Sequence, residues 1–391
     1  MSALRRFGPN WFTLGMGTGI TAIDAYTLPG APAWLQHAGV ALWLVNVVLV
    51  SVLTALFVAR LIVDHGAARQ ILHDPVQSLF LGAIPMAITT LVNGFVDMGV
   101  HVMGPVALQI AYPLWLLNVA LAVGSAVIVP YAMFVSHEHR LEAMTAVWLM
   151  PFVPPEVAAA SGALLLPHLG SLVVARALMA GSLVLWAFSV PIAFLILGVL
   201  FLRLSLHKLP PRELAVTTWI TLGTLGTGVM GMVGLGRSMP LVFGAIGQTM
   251  NGAAVLLAMA LWGFGLWWLV MSILLTMHHA RHGVPFNLGW WGLTFPLGVF
   301  SVGTNLLNGQ LNVGWIGALS VVLFAMLALF WLMVASRTVA SLVRLPRPAR
   351  AASLAAVDGL GHPASVGHRL RTWSATRSDT PSVARQVSWK E

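Results

Sequence analysis

The chain has 391 residues, of which 58% are hydrophobic and only 8% are charged. Soluble globular domains have about a quarter of their residues charged, so this composition excludes a soluble domain and indicates a polytopic membrane protein. The chain has no cysteine, which excludes disulfides and thiol chemistry, and we expect no cleavable signal peptide.

Hydropathy predicts ten apolar segments, each long enough or nearly long enough to cross a bilayer. They lie near residues 10–29, 33–63, 75–100, 105–136, 143–167, 170–206, 212–236, 241–278, 287–308 and 311–343. We therefore expect one ten-helix transmembrane transport domain over residues 1–343. Residues 344–391 are polar and rich in Arg, Ser and Ala, which predicts a disordered, basic cytoplasmic tail.

The positive charges are distributed unevenly along the chain, which has a formal net charge of +9. Ten of the 20 Lys and Arg residues flank one set of segment ends and eight lie in the tail, so that only Arg176 and Arg237 fall toward the other side. The positive-inside rule then predicts cytoplasmic N- and C-termini, which an even number of spans satisfies. We expect a plasma-membrane location (the bacterial inner membrane), and we read the charge as a topology signal and not as a nucleic-acid surface.

The segments alternate in character. Even-numbered ones are rich in Leu, Val, Ala and Trp, whereas odd-numbered ones are broken by Gly, Pro and Thr, as in "TLGMGTGITA" and "GLTFPLGVFS". A broken backbone is tolerated in a membrane only where protein covers it or where it lines a water-filled cavity. The pattern predicts an all-α fold with ten transmembrane helices as five helical hairpins around a central pore. Close packing of small residues between helices is the alternative.

The ninth segment carries the candidate gate. Pro296 lacks an amide hydrogen and is expected to kink the middle of this helix, which would turn Phe295 into the lumen as a hydrophobic plug. Simple core packing is the alternative for Phe295. Further kinks are expected at Pro85, Pro151 and Pro155.

Hydroxyl groups on the odd segments could solvate an anion weakly without a fixed cation, as conduction requires. The alternative is that each hydroxyl bonds to the backbone of its own helix. The candidate pore-lining residues are Thr18, Thr89, Thr221, Thr224, Thr294 and Ser301.

Three carboxylates lie in or near the spans, where ionisable residues are costly and often functional. Glu156 lies near mid-depth of the fifth segment and could couple transport to protons or serve as a structural partner for the broken backbone. Asp24 and Asp97 lie near the non-cytoplasmic ends, where they could be functional or simply solvated. The histidines cluster at segment ends, as His278, His279 and His282 do, so we expect no haem, no metal and no other cofactor.

Four stretches carry a family resemblance: "FGPNWFTLGMGTG", "HDPVQSLFLGAIPMAITTLVNG", "KLPPRELAVTTWITLGTLGTG" and "GWWGLTFPLG". They resemble the tellurite-resistance/dicarboxylate transporter family, which includes the guard-cell slow anion channel, TehA, malate permeases and sulfite efflux pumps. The similarity runs from about residue 7 to 340, and it looks closest to the sulfite-pump branch.

The resemblance implies five helical hairpins around a central pore, usually as a homotrimer in the lipid bilayer, with a gating Phe before Pro on helix nine that matches Phe295. It also implies transport of a small anion, either sulfite efflux or transport of a C4-dicarboxylate such as malate, and no enzymatic activity. A passive chloride or nitrate channel of the same fold, and a membrane-bound enzyme or haem protein, are the alternatives.

Overall fold

The computed structural model describes residue 4 and residues 7–343, so the predicted tail lies outside the described part. Within that part the chain is helical and contains no strand. The α-helices are Phe12–Thr27 (α1), Ala33–Val63 (α2), Ala67–His73 (α3), Ala83–Gly94 (α4), Val100–Met103 (α5), Val106–Val135 (α6), Pro154–Leu165 (α7), Leu172–His207 (α8), Ile220–Phe243 (α9), Ala245–Ala280 (α10), Phe295–Leu311 (α11) and Gly314–Val343 (α12).

Seven helical stretches of the described chain are long and apolar enough to cross a membrane. They are Ala33–Val63, Ser78–Met103, Val106–Val135, Leu172–His207, Arg212–Phe243, Ala245–Ala280 and Gly314–Val343. The other three predicted segments coincide with α1, α7 and α11, which have 16, 12 and 17 residues. A multi-pass, all-helical membrane protein is therefore confirmed.

The alternation in sequence corresponds to a difference in burial. The most apolar windows of α2, α6, α8, α10 and α12, here called the outer helices, are between 22% and 44% buried by the rest of the protein. The corresponding windows at Ser78–Met103 and Arg212–Phe243 are 83% and 94% buried. Glycine, proline and threonine thus lie where other helices cover the backbone, as the cost of unpaired backbone groups in lipid requires.

The five helices α1, α4, α7, α9 and α11, here called the broken helices, each follow a 3₁₀ segment, and a four-residue turn separates that segment from α7. A short 3₁₀ segment comes before each α-helix, a tighter winding that is common at helix N-termini. These segments are Pro9–Trp11, Ser78–Gly82, Ala146–Leu149, Arg212–Trp219 and Leu288–Leu293. The internal repeat is therefore visible as five 3₁₀-to-α junctions.

The prolines correct one expectation from the sequence. Pro296 does not kink the middle of a helix, because α11 begins at Phe295 and Pro296 is its second residue. Pro85 and Pro155 likewise lie in the first turns of α4 and α7, and Pro151 lies in the turn before α7. The first turn of a helix leaves its amide hydrogens without intrahelical acceptors, so proline loses nothing there. The helices are therefore broken where the 3₁₀ segment changes to an α-helix, and not at a proline kink.

Candidate functional site

A cavity of about 260 Å³ lies where the five junctions meet, and we call it the vestibule. Residues from all five junctions line it. They include Thr13 and Met16, Leu79, Phe80 and Met86, Val147, Met150 and Val153, Thr217, Ile220 and Gly223, and Leu288, Trp291, Phe295 and Pro296. The vestibule is therefore a shared feature of the internal repeat.

The vestibule ends at the first turns of the broken helices. No lining residue lies further along these helices than Met16, Met86, Val153, Gly223 and Pro296. Phe295, beside Pro296, is 3% exposed. The residues that come directly after these in each broken helix are buried and do not line the cavity. The vestibule floor is thus apolar, and the cavity does not continue past it.

The charges of the vestibule lie at its rim. Glu138, Arg140 and Glu213 line it, and all three are exposed. Among the described lining residues the floor has no Lys or Arg, and it is formed by residues at the N-terminal ends of the broken helices, where helices carry partial positive charge.

The six predicted pore-lining hydroxyls are all buried, and none lines the vestibule. Three donate to carbonyl oxygens of their own segment: Thr89 to Pro85 at 3.0 Å, Thr221 to Thr218 at 2.8 Å and Thr294 to Trp291 at 2.8 Å. For these three the alternative raised by the sequence, a bond to the local backbone, is the one found.

The other three hydroxyls make different contacts. Thr18 Oγ1 accepts a hydrogen bond from Trp331 Nε1 at 3.2 Å, and Ser301 Oγ donates to the carbonyl of Ser320 at 3.5 Å. Thr224 Oγ1 is buried and has no hydrogen-bond partner among the described residues. Of the six, Thr224 therefore retains its full hydrogen-bonding capacity.

Glu156 is fully buried at the start of α7 and faces α9. Its Oε1 accepts a hydrogen bond from Thr227 Oγ1 at 2.5 Å, and the same hydroxyl lies 2.7 Å from the carbonyl oxygen of Gly223. Glu156 does not line the vestibule. The structure therefore places it between two broken helices, one turn beyond the floor.

The two aspartates differ in their surroundings. Asp24 on α1 is fully buried, and its Oδ1 accepts a hydrogen bond from Asn305 Nδ2 on α11 at 3.3 Å. Asp97 lies in a π-helical turn, Phe95–Gly99, and is partly exposed. Solvation, which the sequence left open for both residues, is thus not available to Asp24.

The histidines at the end of α10 do not form a metal site. His279 contacts the carbonyl oxygens of Leu275 and Pro210, each at 3.0 Å. No group of three or more His, Cys, Asp or Glu side chains able to hold a metal occurs in the described part of the chain.

The sequence analysis did not identify the floor residues Met16 and Met86 or the wall residue His139 as part of a site. The two methionines could have been found by aligning the internal repeats, because they are the fifth residue of α1 and the fourth residue of α4. Neither carries a polar signal that points to function. His139 lies on a connecting segment outside the repeat, so no periodicity marks it.

The family model described as voltage-dependent anion channel (SLAC1) matches residues 6–339 of this chain. The chain belongs to the voltage-dependent anion channel family. The resemblance stated from the sequence motifs is thereby confirmed. Anion transport across a membrane is its function, and a channel or transporter agrees with the expectation that the chain is not an enzyme.

Curated relatives extend the comparison. A sulfite efflux pump of Arthroderma benhamiae is 34% identical, covering 86% of this chain and 91% of the relative. An uncharacterized transporter of Methanocaldococcus jannaschii is 27% identical, covering 85% and 92%. A sulfite efflux pump of Candida albicans is 27% identical, covering 80% and 68%. The similarity to these relatives thus covers nearly all of the residues that the structure describes.

Proposed function

We propose that this chain carries small anions, sulfite in preference, along a central path between the five broken helices, with Phe295 as its gate. The observation that carries the proposal is the vestibule, because all five junctions contribute to it and it ends at Phe295. An aromatic ring at an apolar constriction excludes ions both by its bulk and by dewetting. Sulfite is favoured because the name of a relative 34% identical to this chain specifies sulfite efflux.

The ten-helix arrangement belongs to the same proposal. We take α1, α7 and α11 with their 3₁₀ segments as three further spans, which gives five hairpins of one broken and one outer helix. A shared junction geometry and a shared cavity support this assignment. Homotrimer assembly and a location in the bacterial inner membrane are proposed from the family resemblance alone.

The orientation follows from the charges at the vestibule end. Arg140 and Glu142 form an exposed ion pair at 3.8 Å beside the rim, and Arg212 begins the 3₁₀ segment that lines the vestibule. Both arginines belong to the set of segment ends that carries most of the cations outside the tail. The positive-inside rule then makes the vestibule the cytoplasmic entrance, as efflux requires.

The six predicted hydroxyls lie beside the floor or beyond it, where an anion that passes Phe295 would meet them. We propose that Thr18, Thr89, Thr221, Thr224, Thr294 and Ser301 come to line the path only when the floor opens. The unpaired hydroxyl of Thr224 supports this assignment, because a buried polar group without a partner is costly and an entering anion would provide one.

Glu156 is proposed as a proton-coupling residue. The Thr227 hydroxyl has one hydrogen and two close acceptors, Glu156 Oε1 and the carbonyl of Gly223. A protonated Glu156 would donate to Thr227 Oγ1 and leave the Thr227 hydrogen for Gly223, whereas a charged Glu156 would compete for it. The proton on Glu156 would thereby change the contact between α7 and α9.

The test of substrate is flux into proteoliposomes for sulfite, malate, nitrate and chloride, with protein-free liposomes as the control. We expect sulfite to be carried fastest. Flux of chloride or nitrate with no sulfite flux would instead assign a passive monovalent-anion channel of the same fold. Flux of malate alone would assign a dicarboxylate carrier.

A further inference from the structure

One imidazole lies in the wall of the vestibule. His139 belongs to the segment between α6 and α7, and it lines the cavity together with Trp148. Its ring centroid is 4.8 Å from that of Trp148 and 5.4 Å from that of His137. An anion that enters the vestibule passes a titratable group before it reaches Phe295.

The two histidines differ in how they are held. His137 Nε2 lies 2.8 Å from the carbonyl oxygen of Leu72, which can only accept, so this nitrogen carries a hydrogen. His137 does not line the vestibule. The hydrogen bonds found among the described residues do not involve the ring of His139, and its Nε2 is buried without a partner. No protein group therefore fixes the proton of His139.

The charged and titratable groups around His139 come from three segments. Its own segment supplies His137, Glu138 and Arg140, and Glu213 lies on the wall in front of α9. Asp74, beside the wall residue Val76, has an oxygen that accepts from two backbone amides and is held in its own turn. Burial, and in second place the charge of His137, lower the pKa of His139, so the ring binds a proton less readily than a free imidazole while no anion lies beside it.

The proposed substrate, sulfite, can accept a proton from the imidazole of His139. Sulfite is a weak-acid oxyanion that changes between a monoanion and a dianion near neutral pH. The cost of moving an ion out of water rises with the square of its charge, so the dianion costs about four times as much as the monoanion at an apolar floor. A proton delivered in the vestibule lowers that barrier.

We propose that His139 exchanges a proton with a weak-acid oxyanion in the vestibule, so that the ion passes the floor as a monoanion. The inference rests on the proposed function. The N–H bond of the protonated ring breaks, and an O–H bond forms on SO₃²⁻ to give HSO₃⁻. The neutral ring then takes a proton from a water molecule of the vestibule, and the hydroxide that remains leaves through the open end of the cavity. A dianion beside the ring favours the charged imidazole and so promotes its own protonation.

The experiment compares sulfite flux with nitrate flux, because nitrate cannot take up a proton near neutral pH. Wild type, His139→Gln and the matched control His137→Gln are reconstituted, and the ratio of sulfite to nitrate flux is measured at about pH 6 and about pH 8. In the control, the glutamine amide can still donate to the carbonyl of Leu72. At the higher pH we expect the ratio to be several-fold lower in His139→Gln than in the other two proteins. At the lower pH the three ratios should agree.

A ratio in His139→Gln that matches wild type at both pH values would overturn the inference, and so would an equal loss at both, which would make His139 a simple contact. A loss of the same size in His137→Gln would overturn it as well. These outcomes leave the proposed function standing. Absence of sulfite flux in wild type would refute the proposed substrate itself, so the two failures are distinguishable.

Discussion

Gly226 on α9 lies directly against the backbone of Phe300 on α11, so that a Cβ atom at position 226 would come within 2.5 Å of the Phe300 amide nitrogen. Backbone cannot move aside as a flexible side chain can, so only glycine fits at this contact. The contact lies little more than one turn of α11 beyond Phe295. It fixes the helix that carries the proposed gate against a neighbouring broken helix.

The first prediction concerns that contact. Gly226→Ala forces two backbones apart, and we expect it to lower the free energy of unfolding by about 1–3 kcal/mol. Thermal unfolding in detergent measures this loss. Gly263→Ala on α10 is the matched control, because a Cβ there meets open space. If both variants melt at the wild-type temperature, the two helices are not in the contact described.

The second prediction concerns Glu156. A glutamine at this position can donate its amide hydrogen to Thr227 Oγ1, so Glu156→Gln should fold while being unable to gain or lose a proton. We expect anion accumulation driven by an imposed pH gradient to fall toward the level of downhill flux in this variant. Proteoliposomes with and without the gradient provide the comparison. Wild-type accumulation in Glu156→Gln would reduce Glu156 to a packing partner of Thr227.

The third prediction follows from the lowered pKa of His139, whose ordinary value is 6.5. The unfolded chain binds this proton more readily than the folded protein does, so the folded state loses stability as pH falls through 6.5 toward the lowered value. Wild type should therefore lose more thermal stability between about pH 7.5 and about pH 5.5 than His139→Gln. Identical losses in both proteins would contradict the burial of His139.

The sequence predicted the elements of the fold well because hydrophobicity alone specifies them. The outer helices read as continuous apolar runs since lipid covers them, and the broken helices could be separated from them because glycine and proline need protein cover. The first residues of the shorter α-helices could not be predicted, because they depend on where the backbone changes from a 3₁₀-helix to an α-helix. The composition of "GLTFPLGVFS" does not indicate that the residues before Thr294 form a 3₁₀-helix and those after it an α-helix. The sequence analysis therefore placed Pro296 in the middle of a helix.

The candidate site was predicted less completely. Phe295 was singled out by residue type and by family resemblance, and it does line the vestibule. The partners of Glu156 and Asp24 could not be predicted, because Thr227 is 71 residues and Asn305 281 residues away in sequence. Thr89, Thr221 and Thr294 could not be assigned because a threonine that faces a path and one that bonds its own helix have the same sequence pattern.

The central claim is that Phe295 closes the path, and anion flux through Phe295→Ala in proteoliposomes tests it most directly. Phe300→Ala is the matched control, since Phe300 lies on the same helix, is equally buried and does not line the vestibule. We expect Phe295→Ala to raise sulfite flux at least about tenfold, the gain from lowering a barrier by about 1.4 kcal/mol, with no comparable rise in the control. Folded Phe295→Ala protein with wild-type flux for every anion would contradict the claim and return Phe295 to core packing.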